Sequence, residues 1–396
     1  NRGDNIMKIY KSTLRLLSLI VLLFSFVSTQ SIANEGVTKD KITIGGIGAL
    51  SGPYYLYGEL VLNGAEAVFK EAGKINGRTI ELQKEDSMCK GEGSIAAAKK
   101  VIAEHDPFML VGFGCSNATL ASQSIVLEAG IPSIVAGATN DKVTTPNNGL
   151  YFRVVMKASE EGAMQANFVS TIPNVKKVAV VTQKDAWGTA KWEGFMSAAK
   201  SKGLEVVAVE EMTLDTPDAT AQALRMKEAN PDAIVTILYP KPTIVFLRSA
   251  HQLGLTKMPT IGHTSVSDIK DLAGKVNLPG ALDNFYTISL TSFTPGEPEA
   301  AEVTAMLKKH LPNEELTQYH LWGVAAGELI VEAIKRAGKD LTRQKMVDTL
   351  RSIDSFKASP YPAPLSFSKT DHDGYEMGLF TKLENGKVVK VGTSYK

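Results

Sequence analysis

This chain is poor in most of the features that announce a function outright. Of its 396 residues only Cys89 and Cys115 are cysteines, too few for a small disulfide-built fold and without the paired spacing of a zinc site. Histidines are few, and His251, His263, His310, His320 and His372 are scattered without ligand spacing, so no metal centre is expected. A formal net charge of +1 gives no electrostatic footprint for nucleic acid or for an anionic membrane surface. No low-complexity tract appears, and only one long apolar run is present. With 44% apolar residues, the chain has enough material for two packed lobes.

The one apolar run, Leu16 to Val27, follows Lys8, Lys11 and Arg15 and precedes small residues around Ser31-Ile32-Ala33. It is short for a membrane span and has the layout of a cleaved secretory signal. Residues 1–33 are therefore expected to be leader and signal peptide, with the mature chain starting at Asn34. No cysteine stands at the cut to take a lipid anchor. The expected product is a periplasmic protein without an anchor, and the two cysteines, in an oxidising compartment, are expected to pair. A Cys89–Cys115 bridge closes a loop of about 25 residues and stabilises by about 3 kcal/mol in the loop-entropy view.

The rest is organised around Gly112-Phe113-Gly114-Cys115-Ser116-Asn117-Ala118-Thr119. This turn joins the apolar strand Met109–Val111 to a helix expected from about Leu120 to Ala129. A hydroxyl, a carboxamide and unpaired N–H groups at a helix start make a seat for an anion such as a carboxylate. Ile134-Val135-Ala136 and the following Gly137-Ala138-Thr139-Asn140-Asp141 repeat the device. Short β-rich runs alternate with helical patterns before and after these turns, which predicts an α/β chain with parallel sheets. Alternation restarts after Arg153-Val154-Val155-Met156, with strands at 177–181, 205–209, 233–237 and 260–262, so two similar lobes are expected.

Enzymatic chemistry is not expected. Cys115 has no local general base, and no motif supplies a nucleophile, base and orienter together. After the first strand, Gly46-Ile47-Gly48-Ala49-Leu50-Ser51 lacks the third glycine of a dinucleotide fingerprint, so no cofactor is expected.

At this point the residues resemble a known family. Ile44-Gly45-Gly46-Ile47-Gly48-Ala49-Leu50-Ser51-Gly52-Pro53, Tyr57-Gly58, Gly64-Ala65, the cysteine pair, Gly137-Ala138-Thr139-Asn140, Trp187-Gly188 and Gly378-Leu379-Phe380 together are similar to the type I periplasmic solute-binding proteins of leucine/isoleucine/valine ABC importers. The resemblance implies two Rossmann-like parallel-sheet lobes joined by three crossovers, with a ligand held in the cleft. Lobe 1 is expected to comprise 34–157 and 289–366, and lobe 2 to comprise 158–288 and 367–396. It also implies a membrane permease as partner and a monomeric protein that binds a small carboxylate. A ligand-sensing receptor or regulator of the same fold is the alternative.

Carried onto this sequence, the resemblance puts the ligand carboxylate on Ser116, Ala138 and Thr139. Tyr57 falls at an aromatic wall position, with Tyr54 and Tyr55 as rivals, and Trp187 and Tyr239 supply aromatic contacts from the second lobe. Amino-acid binders of this family carry a glutamate after the strand matching Thr260-Ile261-Gly262. Here His263-Thr264-Ser265 follows, and Thr264 takes the place of that acid; Asp185 could replace it only if its loop turns inward. The expected ligand is a carboxylate without a free α-ammonium, or one whose amine stays at the cleft mouth, aromatic or otherwise largely apolar.

Overall fold

A computed structural model describes residues 35–392; the expected leader and its cleavage site lie outside them. The first βα units run β1 (Lys41–Gly48), α1 (Glu59–Ala72), β2 (Thr79–Asp86), α2 (Gly91–His105), β3 (Met109–Gly112), α3 (Ser116–Glu128), β4 (Ser133–Val135) and β5 (Tyr151–Arg153). These strands form one parallel sheet in the order β2-β1-β3-β4-β5. The chain then builds α4 (Ala158–Thr171), β6 (Lys177–Gln183), α5 (Ala186–Ser201), β7 (Glu205–Met212), α6 (Thr220–Glu228), β8 (Ala233–Ile237), α7 (Pro240–Gln252), β9 (Thr260–Ile261), α8 (Ile269–Val276) and β10 (Phe285–Ser289). It returns to the first lobe for α9 (Ala301–His310), α10 (Gln318–Ala337) and α11 (Arg343–Arg351), and α10 packs along α1. The hairpin β11 (Leu379–Glu384) and β12 (Lys387–Lys390) closes the second sheet, ordered β12-β11-β10-β9-β8-β6-β7 and antiparallel only at β11 and β12. The chain thus passes between two α/β lobes three times.

The strands fall where apolar runs predict them, because a parallel sheet covered on both faces needs continuous hydrophobic strands. Ile42, Ile44, Met109, Val111, Val178, Val180, Ile234 and Val235 are fully buried. Two short strands, β5 and β10, are absent from the sequence reading. Near the third crossing, Arg153 donates its N–H to His372 O and its carbonyl accepts from Gly374 N. Residues 372–374 therefore extend the first sheet, and Phe152 stacks on His372 at 3.9 Å.

Strand order fixes where a ligand goes. In each sheet the order reverses between neighbours, β1/β3 in the first and β6/β8 in the second, and such a switch point opens a crevice at the carboxyl ends of the strands. The turns after β1 and β3 carry Tyr57 and Ser116. Those after β6 and β8 carry Trp187 and Tyr239.

Candidate functional site

The turn after β3 is tight. Gly112 and Phe113 both have positive φ, 112° and 57°, and the second is an uncommon conformation for a side-chain-bearing residue. Helix α3 starts at Ser116 rather than near Leu120, so the serine itself and the first helical N–H groups sit at the positive end of the helix. Gly114 is required here, because a Cβ at that position would lie 1.9 Å from Tyr57 O. Cys89 and Cys115 are disulfide-bonded, with Cα atoms 5.5 Å apart, and the bridge ties the residue before α3 to the loop after β2.

The second turn docks on the first. Ser116 Oγ accepts from Asn140 N at 3.1 Å. Behind it, the buried Arg153 guanidinium donates to the carbonyls of Ala138, Thr139 and Asn140 at 3.3, 2.6 and 3.0 Å and to Asp373 Oδ1 at 2.8 Å. One side chain thus fixes the whole turn. Ala138, expected to bind the carboxylate, does not reach the cavity: its N–H donates to Phe113 O and its carbonyl takes Arg153. Gly137, one residue earlier, lines the cavity instead, beside Thr139. The Thr139 hydroxyl is buried and has no protein partner among the described residues.

Aromatic rings close the cavity. Trp187, the second residue of α5, stacks on Tyr239 with centroids 4.3 Å apart and planes at 16°. Tyr57 meets Tyr239 at 5.9 Å and Tyr319 at 5.4 Å, and Tyr319 meets Trp322 edge-on at 5.3 Å. Of the three candidate tyrosines, Tyr57 lines the cavity. Tyr54 touches Tyr239 from outside, at 5.6 Å, and Tyr55 is 41% exposed. Burial raises the Tyr57 and Tyr239 phenols well above their usual range, so both stay protonated. The cavity between them is narrow, about 20 Å³. Trp322 Nε1 borders it, buried and without a protein partner among the described residues. Across the cleft, Asn140 Nδ2 donates to Ala186 O at 2.9 Å, so the lobes are in contact.

The far end of the cavity holds a carboxylate that the sequence reading missed. Glu161, near the start of α4, lines the space and is fully buried. Its Oε1 accepts from Thr264 N at 2.6 Å, and its Oε2 pairs with the equally buried Lys191 of α5. Burial alone would raise this carboxyl, but Lys191, His263 and the Thr264 N–H outweigh it and hold the group below its usual range. His263 Nε2 lies 2.8 Å from Leu238 O and so carries the proton, while Nδ1 accepts from Ser265 N at 3.1 Å. Burial and the neighbouring Lys191 push this imidazole down to about 3. Glycine makes the burial possible: a Cβ on Gly162 would lie 2.0 Å from Lys191 O, so α4 and α5 run backbone to backbone.

Asp185 does not line this cavity. It caps α5 by accepting from Gly188 N at 2.8 Å and faces an outer pocket with Tyr54 and the disulfide. As for metals, Glu85, Glu104 and His105 bring donor atoms within 4.8 Å of one another. Lys100 already pairs with Glu85, at 3.0 Å.

Residues 41–387 match a family model described as periplasmic binding protein. The chain belongs to this family. Among relatives of the binding protein, Leu/Ile/Val-binding protein homolog 3 of Brucella melitensis is 25% identical over 93% of this chain and 98% of its own. The leucine-specific-binding protein of Salmonella typhimurium is 22% identical over 88% and 92%. Two solved structures share the fold. The branched-chain amino acid substrate-binding protein LivJ of Streptococcus pneumoniae, in complex with isoleucine, has a TM-score of 0.77 and 24% identity, covering 89% of this chain and 100% of that one. A solute-binding protein of R. palustris in complex with 4-hydroxybenzoate has a TM-score of 0.79 and 21% identity, covering 90% and 97%.

In this binding protein the sequence-expected residues Tyr57, Ser116, Thr139, Trp187, Tyr239 and Thr264 all border one cavity. Glu161, Tyr319 and Trp322 are the missed neighbours. A signal for the ion pair was present: Trp187, Lys191, Phe195 and Ala199 form one i, i+4 row, so the lysine sits on the buried face of α5.

Proposed function

We propose that this protein is the extracytoplasmic substrate-binding component of an ABC importer and that it carries a small carboxylate to a membrane permease. One observation supports this most. The Thr139 hydroxyl and Trp322 Nε1 are buried at the cavity without protein partners among the described residues, close to Ser116 at the start of α3. A buried polar group left unpaired costs about 1 to 3 kcal/mol, and ligand oxygens in this space would satisfy both. The ligands in the two related complexes, isoleucine and 4-hydroxybenzoate, share only a carboxylate and an apolar body. Aromatic walls suit the apolar part.

Delivery by a monomer in the periplasm, without catalysis or cofactor, completes the reading. Ser116 gives no support to a nucleophile, since its oxygen takes Asn140 N–H and no base stands beside it among the described residues. Among the described residues no helix is long and apolar enough to cross a membrane.

A melting-shift panel tests the proposal. A ligand at about 1,000 times its dissociation constant stabilises by about 4 kcal/mol, so at least one small amino, aromatic or aliphatic acid is expected to raise the melting temperature by several degrees. Neutral sugars and nicotinamide dinucleotides are expected to leave it unchanged. A response to a sugar alone would overturn the carboxylate reading.

A further inference from the structure

We infer that the buried Glu161–Lys191 pair sets the class of carboxylate taken, by answering from within the protein the charge that a ligand ammonium would otherwise answer. The inference rests on the proposed carboxylate site and names its ligand more narrowly, as an acid without an α-ammonium.

The geometry carries it. Glu161 and Lys191 are both 0% exposed, and Glu161 is the acid that lines the cavity. Its two oxygens are engaged, one by Thr264 N and the other by Lys191. Lys191 is held in turn by three groups: the Glu161 carboxylate, the face of Trp187 at 4.8 Å from the ring centroid, and His263 Nδ1 at 3.5 Å. An amino-acid ammonium entering beside Glu161 would meet a carboxylate already neutralised and a second cation behind it. It would lose its water without gaining an unshared counter-charge, a poor exchange in a closed space. An acid without the amine asks nothing of this end of the cavity, which offers it ring faces. Specificity of this kind comes from a repulsive element as much as from an attractive one.

Matched pairs test this by calorimetry: phenylalanine against phenylpropionate, and leucine against isocaproate. The wild-type protein should bind the amine-free member of at least one pair about tenfold tighter or more. Lys191→Met leaves Glu161 facing the cavity without its partner, and the ratio should shift by about tenfold or more toward the amino acid. The Glu161→Gln, Lys191→Met double variant carries no buried charge, so it guards against a single variant that fails to fold. It should move the preference back toward the amine-free acid. Tighter binding of the amino acid by wild type would overturn the inference, as would an unchanged ratio in folded Lys191→Met or an amino-acid preference in the double variant. If neither member of any pair binds and a non-carboxylate does, the carboxylate reading itself falls, which is a separate result.

Discussion

Alanine in place of Arg153 is expected to cost the fold about 3 to 5 kcal/mol, the usual penalty for stranding the partner of a buried ion pair. Asp373, 6% exposed, would lose its guanidinium at 2.8 Å and keep only Thr144 and the more distant Lys157 Nζ at 3.5 Å. The carbonyls of residues 138–140 would lose their common donor at the same time. Urea denaturation reads the loss. Ligand affinity should fall with it, because the same three carbonyls shape the turn that carries Thr139. Arg153→Lys should give an intermediate result, since an ammonium is a point charge and cannot span one carboxylate and three carbonyls. A loss below about 1 kcal/mol, the level of a surface pair, would mean that the turn is held by something else.

Acid is expected to destabilise the protein well before its carboxylates titrate. In the unfolded chain His263 takes a proton near its ordinary value of 6.5, whereas folded it stays neutral until about 3, because burial and Lys191 disfavour the imidazolium. Between those values the unfolded state binds more protons, so stability falls as pH falls. Each unit is worth about 1.4 kcal/mol per group, so the interval from pH 6.5 to 4.5 should remove about 2 to 3 kcal/mol through His263 alone. His320, pushed by burial down to about 4, adds to the loss in the same direction. Denaturation at pH 7, 6 and 5 checks this. His263→Gln should start less stable at neutral pH but lose less on acidification. An equal slope in wild type and variant would remove His263 from the account.

Some of this site was legible in the residues and some was not, for identifiable reasons. The place of Ser116 and Thr139 at the cavity was readable because glycines and short polar side chains directly after an apolar strand mark the turns at the carboxyl edge of a parallel sheet. Ala138 does not line the cavity, whereas Gly137, one position earlier, does. Which backbone N–H in a turn is spent on the neighbouring turn, here on Phe113 O, depends on how two turns dock and leaves no pattern in the sequence. Glu161 and Lys191 were missed because a charge on a helix is ordinarily solvated, although Lys191 shares the apolar i, i+4 row of Trp187, Phe195 and Ala199. Only the close approach of α4 and α5 makes them a buried pair. Tyr319 and Trp322 belong to α10, whose apolar face reads as core, and most of it is core. Strands β5 and β10 escaped because segments of three and five residues that mix apolar and polar side chains cannot be told from the crossovers beside them.

The central claim is that the paired turns at Ser116 and Thr139 seat a carboxylate. Calorimetric titration of the wild-type protein with an acid that binds and with the primary amide of the same acid tests it most directly, since the two differ in charge and hardly in shape. Charge-assisted hydrogen bonds are about twice as strong as neutral ones, so the acid is expected to bind about tenfold tighter than its amide or more. Equal affinities, or a tighter amide, would contradict the account.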